Sequence, residues 1–245
     1  MKKGLKIISR VIISVVVILL IGGAGVFVYL YNNGLSGLYN NTEPKKGQIR
    51  VACVGDSITY GHSVSGWKQN NYPAVLQEIL GDKYHVANFG VSGACVNKNG
   101  NKPYIKRNVY EESIKYDADI LVLMLGSNDS KPGNWVDTET FLEQYRELLD
   151  TYLDREKVPE VYIGICAKCY YEDGITSGLA RYNIQPHIVD EIAAALKDTY
   201  EKENVVLIDI HSLTDMHPEW FEKDGVHPNA EGAKAIAKEV AMMIG

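Results

Sequence analysis

Ile49-Arg50-Val51-Ala52-Cys53-Val54-Gly55-Asp56-Ser57 opens as a largely apolar, β-branched run and closes in a turn. Residues 49–54 have the composition of a strand, and Gly55 punctuates it. The stretch therefore sets a serine at the carboxyl end of a strand. Outward from it, strand and helix patterns alternate. Residues 72–80 read as a helix, 84–89 as a second strand and 105–116 as a charged helix. Residues 118–125 are nearly all apolar, as a strand buried on both faces requires. An amphipathic helix at 141–153, a strand at 161–165, a long helix at 184–200 and a strand at 205–210 follow. In the last helix, 230–244, Ala233, Ile236, Ala237, Val240, Ala241 and Ile244 recur at helical spacing, and Asn229 stands where a cap belongs. Strands alternating with helices predict an α/β fold, a parallel sheet covered on both faces, whose ligands bind beyond the strands' carboxyl ends.

The chain of 245 residues accommodates one such domain plus an appendage. Residues 1–10 carry Lys2, Lys3, Lys6 and Arg10 and no acid, and residues 11–31 carry no charge at all. At about 1.5 Å per residue a helix over 11–31 crosses the roughly 30 Å hydrocarbon core. The basic flank belongs in the cytoplasm, which places the rest of the chain outside the cell on a single-pass anchor. The rival reading is a signal peptide cleaved near Gly22-Gly23-Ala24, giving a secreted protein. The apolar run continues through Val26-Phe27-Val28-Tyr29-Leu30-Tyr31, where a signal peptide turns polar, and this favours the anchor. Residues 32–48, rich in Asn, Gly, Lys and Pro, read as a linker, leaving 49–245 as the domain.

Apart from the four basic residues of the N-terminus, 21 basic residues face 31 acidic ones, a formal charge near −10. That argues against nucleic acid as a partner and against broad binding of anionic lipid or anionic polymers, though not against an anionic sugar in one pocket. Cys166-Ala167-Lys168-Cys169 is a lone C-x-x-C without a second pair or a histidine cluster, and it reads as small buried side chains at a strand end. His62, His85, His187, His211 and His217 lack ligand spacing, so neither a metal nor another cofactor is expected.

Four segments stand at strand ends or before the last helix: Gly55-Asp56-Ser57-Ile58-Thr59, Asn88-Phe89-Gly90-Val91-Ser92-Gly93, Gly126-Ser127-Asn128-Asp129 and Asp224-Gly225-Val226-His227-Pro228. All four are expected on one rim of the sheet. Each alone is ordinary turn or cap sequence; together they hold the parts of an acyl-transfer site. Ser57 is the candidate nucleophile and His227 the base that takes its proton. Asp224 is the candidate acceptor that orients the imidazole. The backbone N–H groups of Ser57 and Gly90 and the Asn128 amide are candidate donors to the oxyanion.

These blocks resemble the four signature blocks of the SGNH (GDSL) hydrolase superfamily, in order, from residue 49 to the C-terminus. The resemblance implies that Ser57, Gly90, Asn128, Asp224 and His227 hold the family's positions. It also implies a flavodoxin-like three-layer sandwich on a five-stranded parallel sheet of order 2-1-3-4-5. The loop Gly126-Ser-Asn-Asp-Ser-Lys-Pro-Gly-Asn-Trp135 further resembles bacterial carbohydrate or sialate O-acetylesterases.

The expected activity is removal of short acyl groups, foremost O-acetyl, from a carbohydrate or other small ester through an acyl-enzyme. Polar loops at the rim favour acetyl over long acyl chains. An envelope glycan O-acyltransferase would use the same intermediate, and lysophospholipase or thioesterase activity is a further enzymatic reading. A non-catalytic glycan-binding domain would not need Ser57, Asp224 and His227 together. Trp67, Trp135, Tyr170 and Tyr171 are candidate sugar-stacking residues near the rim. Asn128-Asp129-Ser130 also fits a glycosylation sequon, which conflicts with a role in the site unless Asn128 is buried.

Overall fold

The computed structural model describes residues 22–26, 42–157, 159–170, 182–200 and 205–245. In chain order these form β1 (Ile49–Gly55), α1 (Ser57–Tyr60), α2 (Trp67–Asn70), α3 (Tyr72–Leu80), β2 (Tyr84–Gly90), α4 (Asn108–Lys115), β3 (Ile120–Met124), α5 (Thr138–Leu153), β4 (Glu160–Gly164), α6 (Pro186–Tyr200), β5 (Val206–Ile208), α7 (Ile210–Thr214) and α8 (Ala230–Ile244). The five strands make one sheet of order β2-β1-β3-β4-β5, every pairing parallel. This is the expected three-layer α/β sandwich.

Strand alternation builds two cores. Ala52 and Val54 of β1, with Leu121 and Leu123 of β3, face one layer, where Tyr145, Leu149 and Ile192 of α5 and α6 pack. Val51 and Cys53, with Ile120, Val122 and Met124, face the other, packed by Tyr72 and Leu76 of α3 and Ile236 and Val240 of α8. A strand covered on both faces has no polar side, which is why β3 is buried at all its residues. The Asn229 side chain accepts from the backbone N–H groups of Glu231 and Gly232, capping α8 as expected.

Two elements differ from the sequence reading. The helix expected over 105–116 is split: Tyr104–Lys106 forms a 3-10 turn, Arg107 is extended, and α4 begins at Asn108. The fifth strand ends at Ile208 rather than at residue 210, because the Asp209 side chain accepts from Ser212 N–H and caps α7. The last part of the expected linker is held to the domain, with Thr42 Oγ1 at 3.0 Å from His85 Nε2 and Gln48 Nε2 donating to Asp82 O and Tyr84 O. The expected membrane span lies outside the described residues except for 22–26, which are helical. Among the described residues no helix is long and apolar enough to cross a membrane.

Candidate active site

Ser57 is the first residue of α1, reached through Asp56 from the end of β1. Its backbone N–H, at the helix start, has no intrahelical acceptor. Asp56 caps the helix, its Oδ1 accepting from Ile58 N–H at 2.9 Å. Behind this turn α1 lies against the end of β2. A Cβ on Gly90 would fall 2.2 Å from Tyr60 N, so only glycine lets the helix that carries Ser57 settle there.

The loop before α8 brings His227 to Ser57 across 170 residues of sequence. Ser57 Oγ lies 3.0 Å from His227 Nε2, and His227 Nδ1 lies 2.7 Å from Asp224 Oδ2. With the Nδ1 proton donated to Asp224, Nε2 is left to accept the serine proton. The other Asp224 oxygen accepts from Val226 N–H and His227 N–H, both at 2.9 Å. Burial opposes its charge, but the hydrogen bonds from the His227 ring and backbone and from Val226 outweigh it and hold the Asp224 carboxyl at about 2. It is an ionised acceptor throughout the neutral range.

Asn128 is buried and reaches the turn of Asp56 and Ser57, its Nδ2 donating to Asp56 Oδ2 at 3.2 Å with a second N–H remaining. Its burial removes the glycosylation conflict. Asn134 Nδ2 donates to Asn128 O at 2.7 Å, and the adjacent Asp129 accepts from Val96 N–H and Asn97 N–H at 3.0 and 2.9 Å. Burial pushes the Asp129 carboxyl up to about 7 and that of Asp56 up to about 6, against the hydrogen bonds each accepts.

A cavity of about 210 Å³ opens above Ser57, Asn128 and His227. Ser92, Ser127 and Lys131 add polar groups to its wall, Ile58, Ile184 and Val226 apolar ones. Two further rings close one side: His62 and Tyr182 stand 4.6 and 5.0 Å from the His227 ring, centroid to centroid, and His62 Nε2 lies 3.3 Å from Tyr182 OH.

Ser57, Asn128, Asp224 and His227 thus come together as the sequence predicts; Gly90 does not. Its N–H donates to Asn88 Oδ1 at 2.9 Å inside the fold, and it contributes close packing instead. The glycine on the cavity wall is Gly93, whose φ of +81° suits glycine and turns the loop toward the site. The aromatic candidates also lie elsewhere. Trp67 stacks on Tyr60, with ring centroids 5.4 Å apart, and packs on the core beneath α3 and α8. Trp135 packs against Phe141. Tyr170 braces the loop of the histidine: its N–H donates to Gly225 O at 2.8 Å, its hydroxyl to Thr214 O, and its ring meets Phe221. Tyr171 lies outside the described residues. His62, Tyr182 and Lys131 were missed, since nothing in their local sequence marks them as cavity-facing. All four cysteines are free and buried, and burial raises the Cys169 thiol to about 12 and the Cys166 thiol well above its ordinary value, so the C-x-x-C reads as core.

A model of the GDSL-like Lipase/Acylhydrolase family matches residues 53–235. The chain belongs to this family. An acetylxylan esterase of Xylanibacter ruminicola is 31% identical over 211 residues, covering 82% of this chain and 44% of that protein. A multidomain esterase of Ruminococcus flavefaciens is 27% identical, covering 78% of this chain and 28% of that protein. The GDSL chain thus spans less than half the length of these two relatives. The crystal structure of a carbohydrate acetylesterase family member from Sinorhizobium meliloti superposes with a TM-score of 0.66 at 23% identity, over 80% of this chain and 97% of that one, and shares the fold.

Proposed function

We propose that this GDSL hydrolase removes acetyl, or another short acyl group, from an esterified carbohydrate through an acyl-enzyme on Ser57. The observation that carries the reading is the unbroken relay from Asp224 to His227 to Ser57, at 2.7 and 3.0 Å, opening on a cavity of only about 210 Å³. Pockets for drug-sized ligands occupy roughly 300–1,000 Å³, so the described residues leave no trough for a long acyl chain. Ser57 Oγ attacks the ester carbonyl as its proton passes to His227 Nε2. The oxyanion then lies against the Ser57 N–H, the free Nδ2 hydrogen of Asn128 and the Gly93 N–H. Collapse expels the alcohol, which takes the proton from His227, and water activated by the same imidazole releases the acid. The name of one relative, acetylxylan esterase, supports an acetyl ester on a glycan, and that of the other, multidomain esterase, supports ester hydrolysis.

The test is a series of esters of one alcohol, from acetyl to long-chain acyl, together with mass spectrometry of the quenched enzyme. The reading expects kcat/KM to fall with chain length, an acetyl adduct on Ser57, and loss of turnover in Ser57→Ala with the fold intact. A kcat/KM that rises with chain length would replace it by a lipase-like role. The uncharged run 11–31 supports a catalytic domain outside the cell, held by a membrane anchor or secreted after cleavage. Protease added to intact cells would then release an active fragment by cutting within 32–41, and protection would contradict this placement.

A further inference from the structure

We propose that Lys131 is a specificity-determining residue that receives a carboxylate carried on the alcohol half of the ester, so that the site selects acidic, uronate-type sugar esters over neutral ones. The inference rests on the deacylating function proposed for this same site. In that function the acyl half is a neutral acetyl group, so an anionic substituent belongs to the sugar.

Lys131 lines the cavity with Ser57, Asn128 and His227. Its backbone is fixed, its carbonyl accepting from Asn134 N–H and Trp135 N–H at 2.8 and 2.9 Å. Among the described residues its ammonium makes no ion pair and no hydrogen bond. Lys98, Lys157, Lys168 and Lys197, by contrast, each meet a carboxylate of Glu147, Asp119, Asp190 or Asp209. Burial pulls the Lys131 ammonium below the ordinary lysine value, while Asp56, Cys95 and Asp129 act in the opposite direction. Those two carboxylates are committed elsewhere: Asp56 to Ile58 N–H and Asn128, Asp129 to Val96 N–H and Asn97 N–H. A half-buried cation without an acceptor is costly, and a ligand anion relieves that cost far better than a neutral hydroxyl does.

Two serines and a second lysine surround the same wall. Ser92 and Ser127 line the cavity, and their Oγ atoms are buried behind its surface without a hydrogen-bond partner among the described residues. Close by, Lys102 Nζ donates to Ser92 O at 3.0 Å and adds positive charge behind this wall. An unpaired ammonium on the cavity wall calls for an acceptor, and a carboxylate is acceptor-only. The chain's net charge of −6 repels anions at a distance, so selection here is a contact effect rather than steering.

The experiment compares kcat/KM for an O-acetylated methyl glucuronoside with that for the methyl glucoside acetylated at the same position, using 4-nitrophenyl acetate to report the acetylesterase chemistry itself. We expect the wild-type enzyme to favour the glucuronoside, chiefly through KM. Lys131→Gln should lower the glucuronoside-to-glucoside ratio by about ten- to a hundredfold, as for a hydrogen bond to a charged group, and Lys131→Arg should retain most of it. A wild-type ratio at or below one overturns the proposal. So does a Lys131→Gln loss common to both sugars, which would make Lys131 a support for Asp56 and Asp129. If Lys131→Gln fails to fold, competitive inhibition of the wild-type enzyme by methyl glucuronoside against methyl glucoside decides, and equal inhibition overturns the proposal. Failure of the wild-type enzyme to cleave all three acetyl esters refutes the underlying function, and this inference falls with it.

Discussion

At the scale of single residues, the two glycines of the second block do different work. Alanine at Gly90 keeps the backbone N–H, so a pure donor role would tolerate the change. The added Cβ instead meets Tyr60 N at 2.2 Å and must displace α1. Gly90→Ala is expected to destabilise the protein by about 1–3 kcal/mol, the range for overpacking, and to impair turnover by moving Ser57. Chemical denaturation with parallel kinetics checks this, and wild-type stability would return Gly90 to the donor role. Asn128 has the opposite profile. Its free Nδ2 hydrogen serves charge that exists only in the transition state, so Asn128→Ala should lower kcat about 10²–10³-fold with little change in KM. An effect confined to KM would make Asn128 a substrate-binding residue instead. The sequence announced Ser57, Asn128, Asp224 and His227 because each sits beside a turn former at an element end. It misassigned Gly90 because two glycines three residues apart look alike until packing separates them.

At the scale of elements, caps and short helices decide where the functional side chains point. Asn229 begins α8 directly after the histidine loop, accepting from Glu231 N–H and Gly232 N–H at 3.0 and 3.1 Å and donating to Glu219 O at 2.8 Å. Asn229→Ala should therefore cost roughly 1–2 kcal/mol, measured by urea denaturation, with a smaller loss in Asn229→Ser. An unchanged midpoint would mean that the packing of α8 against α3 fixes its start without the cap. The α8 boundaries were readable because a helical apolar period and a cap coincide there. The 105–116 segment was not: its charge pattern reads as one helix, but the backbone turns at Arg107, whose extended conformation precedes α4. Likewise Trp67, Trp135 and Tyr170 read as rim aromatics from loop position alone, whereas the folded elements draw them against Tyr60, Phe141 and Phe221.

Across the whole molecule, the buried carboxylates shape the response to pH. Asp56 at about 6 and Asp129 at about 7 hold their protons more tightly folded than unfolded. Their stabilising contribution is complete below the unfolded carboxylate value near 4 and is lost as pH rises through about 6 to 7. Asp224, held at about 2, acts oppositely: its contribution is present above about pH 4 and lost as pH falls toward 2. Together these three groups give a stability maximum at about pH 3–4, just below the unfolded carboxylate value, so the melting temperature should decline from about pH 5 to about pH 8. Asp129→Asn, which removes the ionisation but keeps an oxygen for only one of the Val96 and Asn97 N–H groups, should flatten that slope at some cost in overall stability. Melts followed by circular dichroism test both, and a melting temperature that climbs over this interval would count against the buried-acid account.

What the sequence by itself determined is the α/β class, the parallel sheet and the identity of the nucleophile, base and orienting acid as candidates. These are legible because strand and helix periods, and residues forced to element ends, are local properties of a chain. Only the tertiary structure decided what surrounds them. Ser57 and His227 meet across 170 positions. His62, Tyr182 and Lys131 join the cavity from three separate segments, and Gly93 rather than Gly90 faces it. The physical reason is that a side chain's direction and burial depend on which distant elements pack over it, and no local pattern carries that information.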